Sequence, residues 1–314
     1  MNACDFRGIG LLGAPTGVGA GVKGTRHGPQ ALRANGLLER LRGAGWPVTD
    51  WGDLPKPGKI SLSQDEPSTF AVKDWQQVLG WNLAVFNAVS QVLQHGQMPL
   101  LIGGDHSVAI GSVSAVAAHC RATGKRLKLV WLDAHADFNM PHTSPSGNAH
   151  GMPLACLCGL GPPALAQMAG FPQAVAPADV SLIGVRSIDA GEQRLLQQAG
   201  VHVFSMAQIR QLGMHETLRL ALGDHGPDVH LHVSFDLDFL DPVLAPGVGT
   251  PVDGGPTREE AFQCVRHMAA FGQAGSIDLV EYNPAKDPGG MTARLAVELL
   301  QSLLPALSAG GIRV

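Results

Sequence analysis

Residues 127–139 read Leu127-Lys-Leu-Val-Trp-Leu132-Asp133-Ala-His135-Ala-Asp137-Phe-Asn139. The first six form a short, largely apolar run with the length and character of a buried parallel strand. Asp133, His135 and Asp137 then stand at alternate positions, separated by alanines small enough to leave room between them. In extended backbone, positions i, i+2 and i+4 point the same way, so these three side chains would converge. Two carboxylates and an imidazole gathered without partners are expensive to bury, and a cation removes that expense. A strand that runs straight into such a cluster is what an open α/β sheet places at its carboxyl edge.

The same arrangement recurs on both sides of this stretch. The run 99–102 leads into Gly103-Gly104-Asp105-His106-Ser107, where two glycines permit a sharp turn ahead of His106. The run 230–235, in which histidines alternate with apolar residues, leads into Ser234-Phe-Asp236-Leu-Asp238-Phe-Leu-Asp241-Pro242. Taken singly, a histidine in a turn is ordinarily structural and an Asp-x-Asp is common turn chemistry. Taken together, His106, His135, Asp133, Asp137, Asp236 and Asp238 offer two imidazoles and four carboxylates. Their charge balances two divalent cations, and the oxygen-rich set favours an ion such as Mn²⁺ over a thiolate-seeking one.

Further strands are expected at 8–13, 180–185 and 276–281, and helices at 31–41, 70–95, 193–198, 259–270 and 292–304. In the longest of these, Trp75, Val78, Leu79, Phe86, Val89 and Leu93 recur near the 3.6-residue period, and Gly96 is placed to cap the end. This alternation predicts a mainly parallel β-sheet with helices on both faces, a three-layer α/β/α architecture. The polar stretch 55–67 interrupts the alternation without ending it. No internal repeat is visible, so residues 1–314 read as one domain.

Composition narrows the functional classes. Of 314 residues 45% are apolar, enough for a substantial core, and the net charge of −4 provides no basic field for nucleic acid or an anionic membrane. Only 15% are charged, which points to surface covered by further copies of the chain. No apolar stretch has the length of a membrane span. The opening MNACDFRGIGLLGAP is poor signal-peptide chemistry. The five scattered cysteines read as reduced thiols of a cytoplasmic protein, and Cys156/Cys158 lack a second pair to close a metal site. Gly8-Ile-Gly10-Leu-Leu-Gly13 matches a dinucleotide fingerprint by letter, yet only seven residues precede it and no acid follows at the required distance. No P-loop is present.

GGDHS, DAHADFN and SFDLDFLDP, in this order, resemble the three metal-binding signatures of the ureohydrolase family, and the resemblance runs nearly the whole length of the chain. It implies an enzyme that cleaves a guanidino group to urea with two Mn²⁺ per subunit, or other divalent ions such as Co²⁺. By that analogy His106 and Asp137 bind one ion, His135 and Asp238 the other, and Asp133 and Asp236 bridge them. Asn139-Met-Pro-His-Thr-Ser144-Pro-Ser146-Gly-Asn148-Ala-His150-Gly resembles arginases more than agmatinases. The likeness implies L-arginine as substrate, with Asn139, Ser144, Ser146 and Asn148 around the α-carboxylate and Asp189 at the α-ammonium group. His150 corresponds to a proton-shuttling histidine and Glu281 to the carboxylate that holds the guanidinium, with Asp137 relaying the nucleophile's proton to the departing amine. Ser187 departs from the pattern, standing where many arginases carry Asp. A homotrimer or homohexamer is implied. An agmatinase or guanidinobutyrase-type specificity is the alternative within the family, and a non-catalytic metal-binding relative the alternative outside catalysis.

Overall fold

The structure, a computed structural model, describes residues 6–58, 60, 72–223, 226–270 and 274–304. In chain order its elements are β1 (Ile9–Ala14), α1 (Gly28–Ala34), α2 (Leu37–Gly43), β2 (Val48–Asp53), α3 (Trp75–Gln94), β3 (Met98–Gly103), α4 (Ala109–Ala122) and β4 (Arg126–Leu132). They continue with α5 (Pro153–Leu157), α6 (Pro163–Ala166), β5 (Val180–Val185), α7 (Ala190–Ala199), β6 (His202–Ser205), α8 (Met206–Leu212) and α9 (Met214–Leu222). The last are β7 (Val229–Asp236), α10 (Arg258–Ala270), β8 (Ala274–Val280) and α11 (Met291–Leu303).

All eight strands join one sheet in the order β2-β1-β3-β8-β7-β4-β5-β6, and every pairing is parallel. Strands β3, β8 and β7 of the middle are buried along their whole length because helices cover them on both faces. Trp131, Leu132, Val233, Phe235, Ile277 and Leu279 are all fully buried. One helix group, α3 to α6, packs within itself, as does a second made of α1, α2, α8, α9, α10 and α11. Every strand therefore ends at the same edge of the sheet, and the loops that follow β3, β8, β7, β4 and β5 lie side by side there.

The six expected strands are all present, each within two residues of its expected limits. Two were not expected, β2 and β6, and both are sheet edges. Val48-Thr-Asp-Trp-Gly-Asp53 and His202-Val-Phe-Ser205 are short or polar because an edge faces water, so neither shows an apolar run. The expected helix at 31–41 divides into α1 and α2, because Gly36 adopts φ of +84° and stops the first helix after Asn35. For the helix expected at 70–95, residues 70 and 71 lie outside the described residues; it runs Trp75–Gln94, and Gly96 (φ +67°) follows its end. Helix α4 escaped notice because ten of its residues are buried, leaving no amphipathic stripe to read. The Gly8–Gly13 fingerprint match lies largely inside β1 rather than on a phosphate-binding turn.

Cys120, Cys156, Cys158 and Cys264 are buried free thiols, each pushed up to about 12 by burial, while Cys4 lies outside the described residues. No helix among the described residues is long and apolar enough to cross a membrane.

Helix α3 packs closely on α4. Asn82 of α3 turns its Oδ1 to the Gly111 N–H at 2.7 Å and its Nδ2 to Val78 O at 3.0 Å, and a Cβ on Gly111 would run into the Asn82 carbonyl. Gly111→Ala is accordingly expected to cost roughly 1–3 kcal/mol through overpacking, read as a lower midpoint in urea unfolding. An unchanged midpoint would contradict this contact.

Candidate metal centre

Each side chain of the site is delivered by the end of a strand. Beyond β3, Gly104 and Asp105 turn the chain so that His106 faces the sheet edge, and the Asp105 carboxylate accepts from Ser107 N at 3.1 Å and Gly19 N at 3.0 Å. The His106 Nε2 lies 2.8 Å from Ser234 Oγ on β7, and the imidazole stacks on Trp131 with centroids 4.1 Å apart. This fixes where its other nitrogen points. His106 Nδ1 lies 3.0 Å from Asp137 Oδ2, 3.1 Å from Asp236 Oδ2 and 3.2 Å from Asp133 Oδ2, and it is fully buried with no hydrogen-bond partner.

A second cluster adjoins the first. His135 Nδ1 is 3.0 Å from Asp238 Oδ2 and 3.5 Å from Asp133 Oδ1. The carboxylates are aimed by outer contacts: Trp131 Nε1 donates to Asp133 Oδ2 at 2.9 Å, Ala134 N to Asp238 Oδ1 at 3.1 Å, and Thr250 Oγ1 to Asp238 Oδ2 at 3.0 Å. His106, Asp133 and Asp137 form one group whose ligand atoms could hold an ion, and Asp133, His135 and Asp238 form another.

The convergence is not the extended alternation expected from the sequence. Residues 133–137 leave the strand in a turn, and Asp137 sits at φ +52°. Likewise Asp236 ends β7, and a 3₁₀ turn over Leu237–Phe239 carries Asp238 round toward His135. Non-glycine residues held in left-handed backbone cost on the order of 1–3 kcal/mol each and gather at functional sites. Glu281, at φ +63° directly after β8, is another.

With so many acids in a dry space, charging them all is disfavoured. Burial and the neighbouring Asp133 push Asp137 up to about 7, and burial with Asp238 raises Asp236 well above the carboxylate range. Burial alone would lower the His135 imidazole, but the charge and hydrogen bonds of Asp238 and Asp133 lift it to about 12. An imidazole nitrogen turned bare toward three carboxylate oxygens, its ring already anchored through Nε2, is the donor set of a divalent cation site. The residues fit two such ions.

Glu281 differs from the aspartates. Its Oε1 accepts from His106 N at 3.0 Å and lies 3.0 Å from His150 Nδ1, whereas Oε2 is buried without a hydrogen-bond partner. Burial opposes its charge, yet the hydrogen bond and charge of His150 hold it below its ordinary range. Burial also opposes a charged His150, and Glu281 outweighs it, lifting the imidazole to about 9. Glu281 thus holds His150 above the ordinary imidazole range.

A cavity of about 150 Å³ opens beside these groups. His135, Asp137, Asp236, Asp238 and His150 line its inner part, and Asn139, Ser144, Ser146 and Asp189 line it further along the chain's loops. Asn139 Nδ2 donates to Asp189 Oδ2 at 3.0 Å, joining two of the expected substrate contacts. Asn148 is not brought to this wall. Its Oδ1 accepts from Lys73 Nζ at 3.2 Å and its amide packs on Gly21, so it ties the loop to the start of α3.

Several lining residues were not singled out from sequence. Glu192 is buried and accepts from Phe138 N at 2.7 Å and Asp189 N at 3.2 Å, pinning both loops, and burial pushes it up to about 7. Its signal was available: Asp189 and Glu192 have the spacing of a helix capping box, here at the start of α7. Thr250, on the wall, and Ser234, behind His106, carry no such signal, since their work depends on neighbours distant in sequence.

Paired histidine–carboxylate clusters at the carboxyl edge of a parallel sheet define a class, the hydrolases that work through two metal ions. The arginase family model matches residues 7–305. An arginase of Bacillus caldovelox is 40% identical over 298 residues, covering 94% of this chain and 97% of the relative. The crystal structure of arginase from Bacillus subtilis superposes with a TM-score of 0.86 at 37% identity, covering 95% of this chain and 98% of that one. An Entamoeba histolytica arginase solved in complex with L-ornithine reaches a TM-score of 0.82 at 30% identity, over 95% and 98% of the two chains. The chain belongs to the arginase family, and is a hydrolase of guanidino carbon–nitrogen bonds.

The Glu281–His150 pair has a direct titration signature. A histidine whose folded pKa exceeds its ordinary 6.5 adds stability that is complete below that value and is lost as pH rises through about 9. In the metal-free protein the His150 ring is expected to titrate near 9 by NMR, and to fall back toward 6.5 in Glu281→Gln. A raised value that survives the substitution would contradict the pairing.

Proposed function

We propose that this chain hydrolyses L-arginine to L-ornithine and urea, using two Mn²⁺ per subunit, with Co²⁺ as an alternative ion. The observation that carries the reading is Glu281, a buried carboxylate with one oxygen occupied and the other without a partner, joined through His150 to the cavity wall. A guanidinium is the complementary group, since it is planar, always charged and presents paired N–H donors to a carboxylate. The same contact binds any guanidine, so the far end of the cavity must choose among them.

In this reading His106 and Asp137 would hold one ion and His135 and Asp238 the other, with Asp133 and Asp236 available to either. Bound together, the ions would supply a water of lowered pKa as nucleophile and Lewis-acid stabilisation of the charge that develops on attack. Glu281 fixes the guanidinium carbon beside that pair. The Asp137 carboxylate, on the cavity wall, is placed to take the nucleophile's proton and pass it to the departing amine. His150, between Glu281 and the cavity and 18% exposed, then exchanges protons with solvent.

Neutral donors serve the substrate's α-carboxylate: the Ser144 and Ser146 hydroxyls and the Asn139 amide. Asp189, already oriented by Asn139, faces the α-ammonium group. Asn148, engaged by Lys73, shapes the loop and makes no substrate contact in this assignment. We further read residues 1–314 as one domain of a cytoplasmic homotrimer or homohexamer, in keeping with the low share of charged residues.

Urea release from Mn²⁺-loaded protein on L-arginine, agmatine and 4-guanidinobutyrate tests this directly. Arginine is expected to be strongly preferred. Preference for either of the other two would keep the guanidine chemistry and reject the assignment of the loop. Asp189 lies at the exposed rim, so Asp189→Ala is expected to lower arginine kcat/KM by roughly tenfold, on the order of 1–2 kcal/mol. Agmatine, which keeps the amine, should lose a similar factor and 4-guanidinobutyrate little. An equal loss on all three would show that Asp189 acts on the fold instead.

A further inference from the structure

Arg186, just beyond β5, spreads its guanidinium over main-chain carbonyls. Nη1 donates to Gly184 O at 3.0 Å and Phe239 O at 3.1 Å. Nη2 donates to Asp238 O at 2.8 Å, Val252 O at 2.9 Å and Leu240 O at 3.2 Å, while Nε reaches Val252 O at 3.1 Å. One side chain thereby fastens three segments: the end of β5, the turn that carries Asp238, and the loop that follows Thr250. No lysine could do this, because a point ammonium has neither the span nor the planar fork.

These segments converge on one half of the candidate centre. The Asp238 backbone is held by Arg186, and its carboxylate is held by Thr250 and Ala134 N with Oδ2 at 3.0 Å from His135 Nδ1. Thr250 lies two residues before Val252, whose carbonyl Arg186 takes twice. Asp241 closes the arrangement by accepting from Gly254 N and Gly255 N at 3.0 Å each. Gly255 has to lack a side chain, since a Cβ there would stand 2.5 Å from the Asp241 backbone nitrogen, and 2.9 Å from Arg186 Nη2. The other half takes its supports elsewhere, with His106 on Ser234 and Asp133 on Trp131.

We propose that Arg186 is a positioning residue for one metal position only: by gathering the carbonyls of Asp238, Leu240 and Val252 it holds Asp238 against His135 in readiness for an ion. This rests on the two-ion reading above. Residues that orient metal ligands change metal affinity by about 10–100-fold when removed, even though they never touch the ion. Here the effect is greatest on the His135 side, because the guanidinium's hydrogen bonds reach the Asp238 turn and none reaches His106 or Asp137, while Asp133 and Asp236 feel only its charge.

The test is Mn²⁺ titration by calorimetry, with electron paramagnetic resonance to distinguish a coupled pair of ions from an isolated one, on wild type, Arg186→Met and Arg186→Lys. Wild type is expected to bind two equivalents and to show the coupled pair. Arg186→Met is expected to keep one equivalent near wild-type affinity and to bind the second about 10–100-fold more weakly, giving an isolated-ion spectrum at low Mn²⁺. The retained ion should be lost on adding His106→Asn and kept on adding His135→Asn. At saturating Mn²⁺ kcat recovers, and KM for arginine stays within about twofold throughout, because Glu281 is untouched. Equal weakening of both positions, or of neither, overturns the proposal, as does retention of the His135-side ion. If Arg186→Met fails to fold by circular dichroism, Arg186→Lys carries the same comparison with the same overturning outcomes. Failure of wild type to bind two ions would instead overturn the two-ion reading, and the role of Arg186 with it.

Discussion

The constraint on which the rest depends is the crowding of carboxylate oxygen around a single nitrogen. His106 Nδ1 has three such oxygens within 3.2 Å. Charge packed this densely out of water is unstable by itself, and the chain does not relieve it by exposing the group or by seating a lysine or arginine side chain among the carboxylates. It holds the arrangement open instead. Ser234 anchors the far side of the ring, Trp131 lies flat against it, and Asp137 and Glu281 accept left-handed backbone to face inward. Against a total stability of about 5–15 kcal/mol, on the order of 1–3 kcal/mol for each strained residue is a considerable concession. A fully covered parallel sheet, with its large apolar core, is what makes it tolerable.

The sheet order explains why the pieces meet. Asp133 follows β4 and Asp236 ends its neighbour β7, while His106 and Glu281 follow β3 and β8, which are also neighbours. Four adjacent parallel strands thus present their ends to a space only a few ångströms wide, and β5 next to them contributes Arg186, Ser187 and Asp189. Electrostatics then divides the cavity. The inner part is acidic and buried, suited to cations. The outer part, with the neutral Ser144, Ser146 and Asn139, has the exposed Asp189 and the buried Glu192 as its acids. A substrate with a cationic head and a zwitterionic tail matches that gradient from end to end.

Much of this was legible before any coordinates. Strands with continuous apolar character, such as 127–132 and 180–185, announce themselves because both faces are covered, and the clusters that follow them are dense enough to be read as one centre. What was not legible depends on company rather than composition. β2 and β6 are strands because a neighbour offers them a ladder, and α4 is so thoroughly buried that its periodicity vanishes. The alternate spacing of Asp133, His135 and Asp137 led to the right convergence by the wrong geometry, since a left-handed turn does what an extended strand was expected to do. Asn148 looked like its neighbours Ser144 and Ser146 until Lys73, 75 residues earlier, was seen to occupy it. Arg186, in an unremarked Gly-Val-Arg, gave no hint of the five carbonyls it collects.

The central claim is that the buried cluster is a pair of cation positions rather than a protonated acid network. Anomalous diffraction at the manganese edge, from crystals grown with Mn²⁺, tests it most directly. The account requires two strong peaks per chain, one within ligand distance of His106 Nδ1 and the other of His135 Nδ1, with Asp133 reaching both. A single peak, or peaks only at the protein surface, would contradict it.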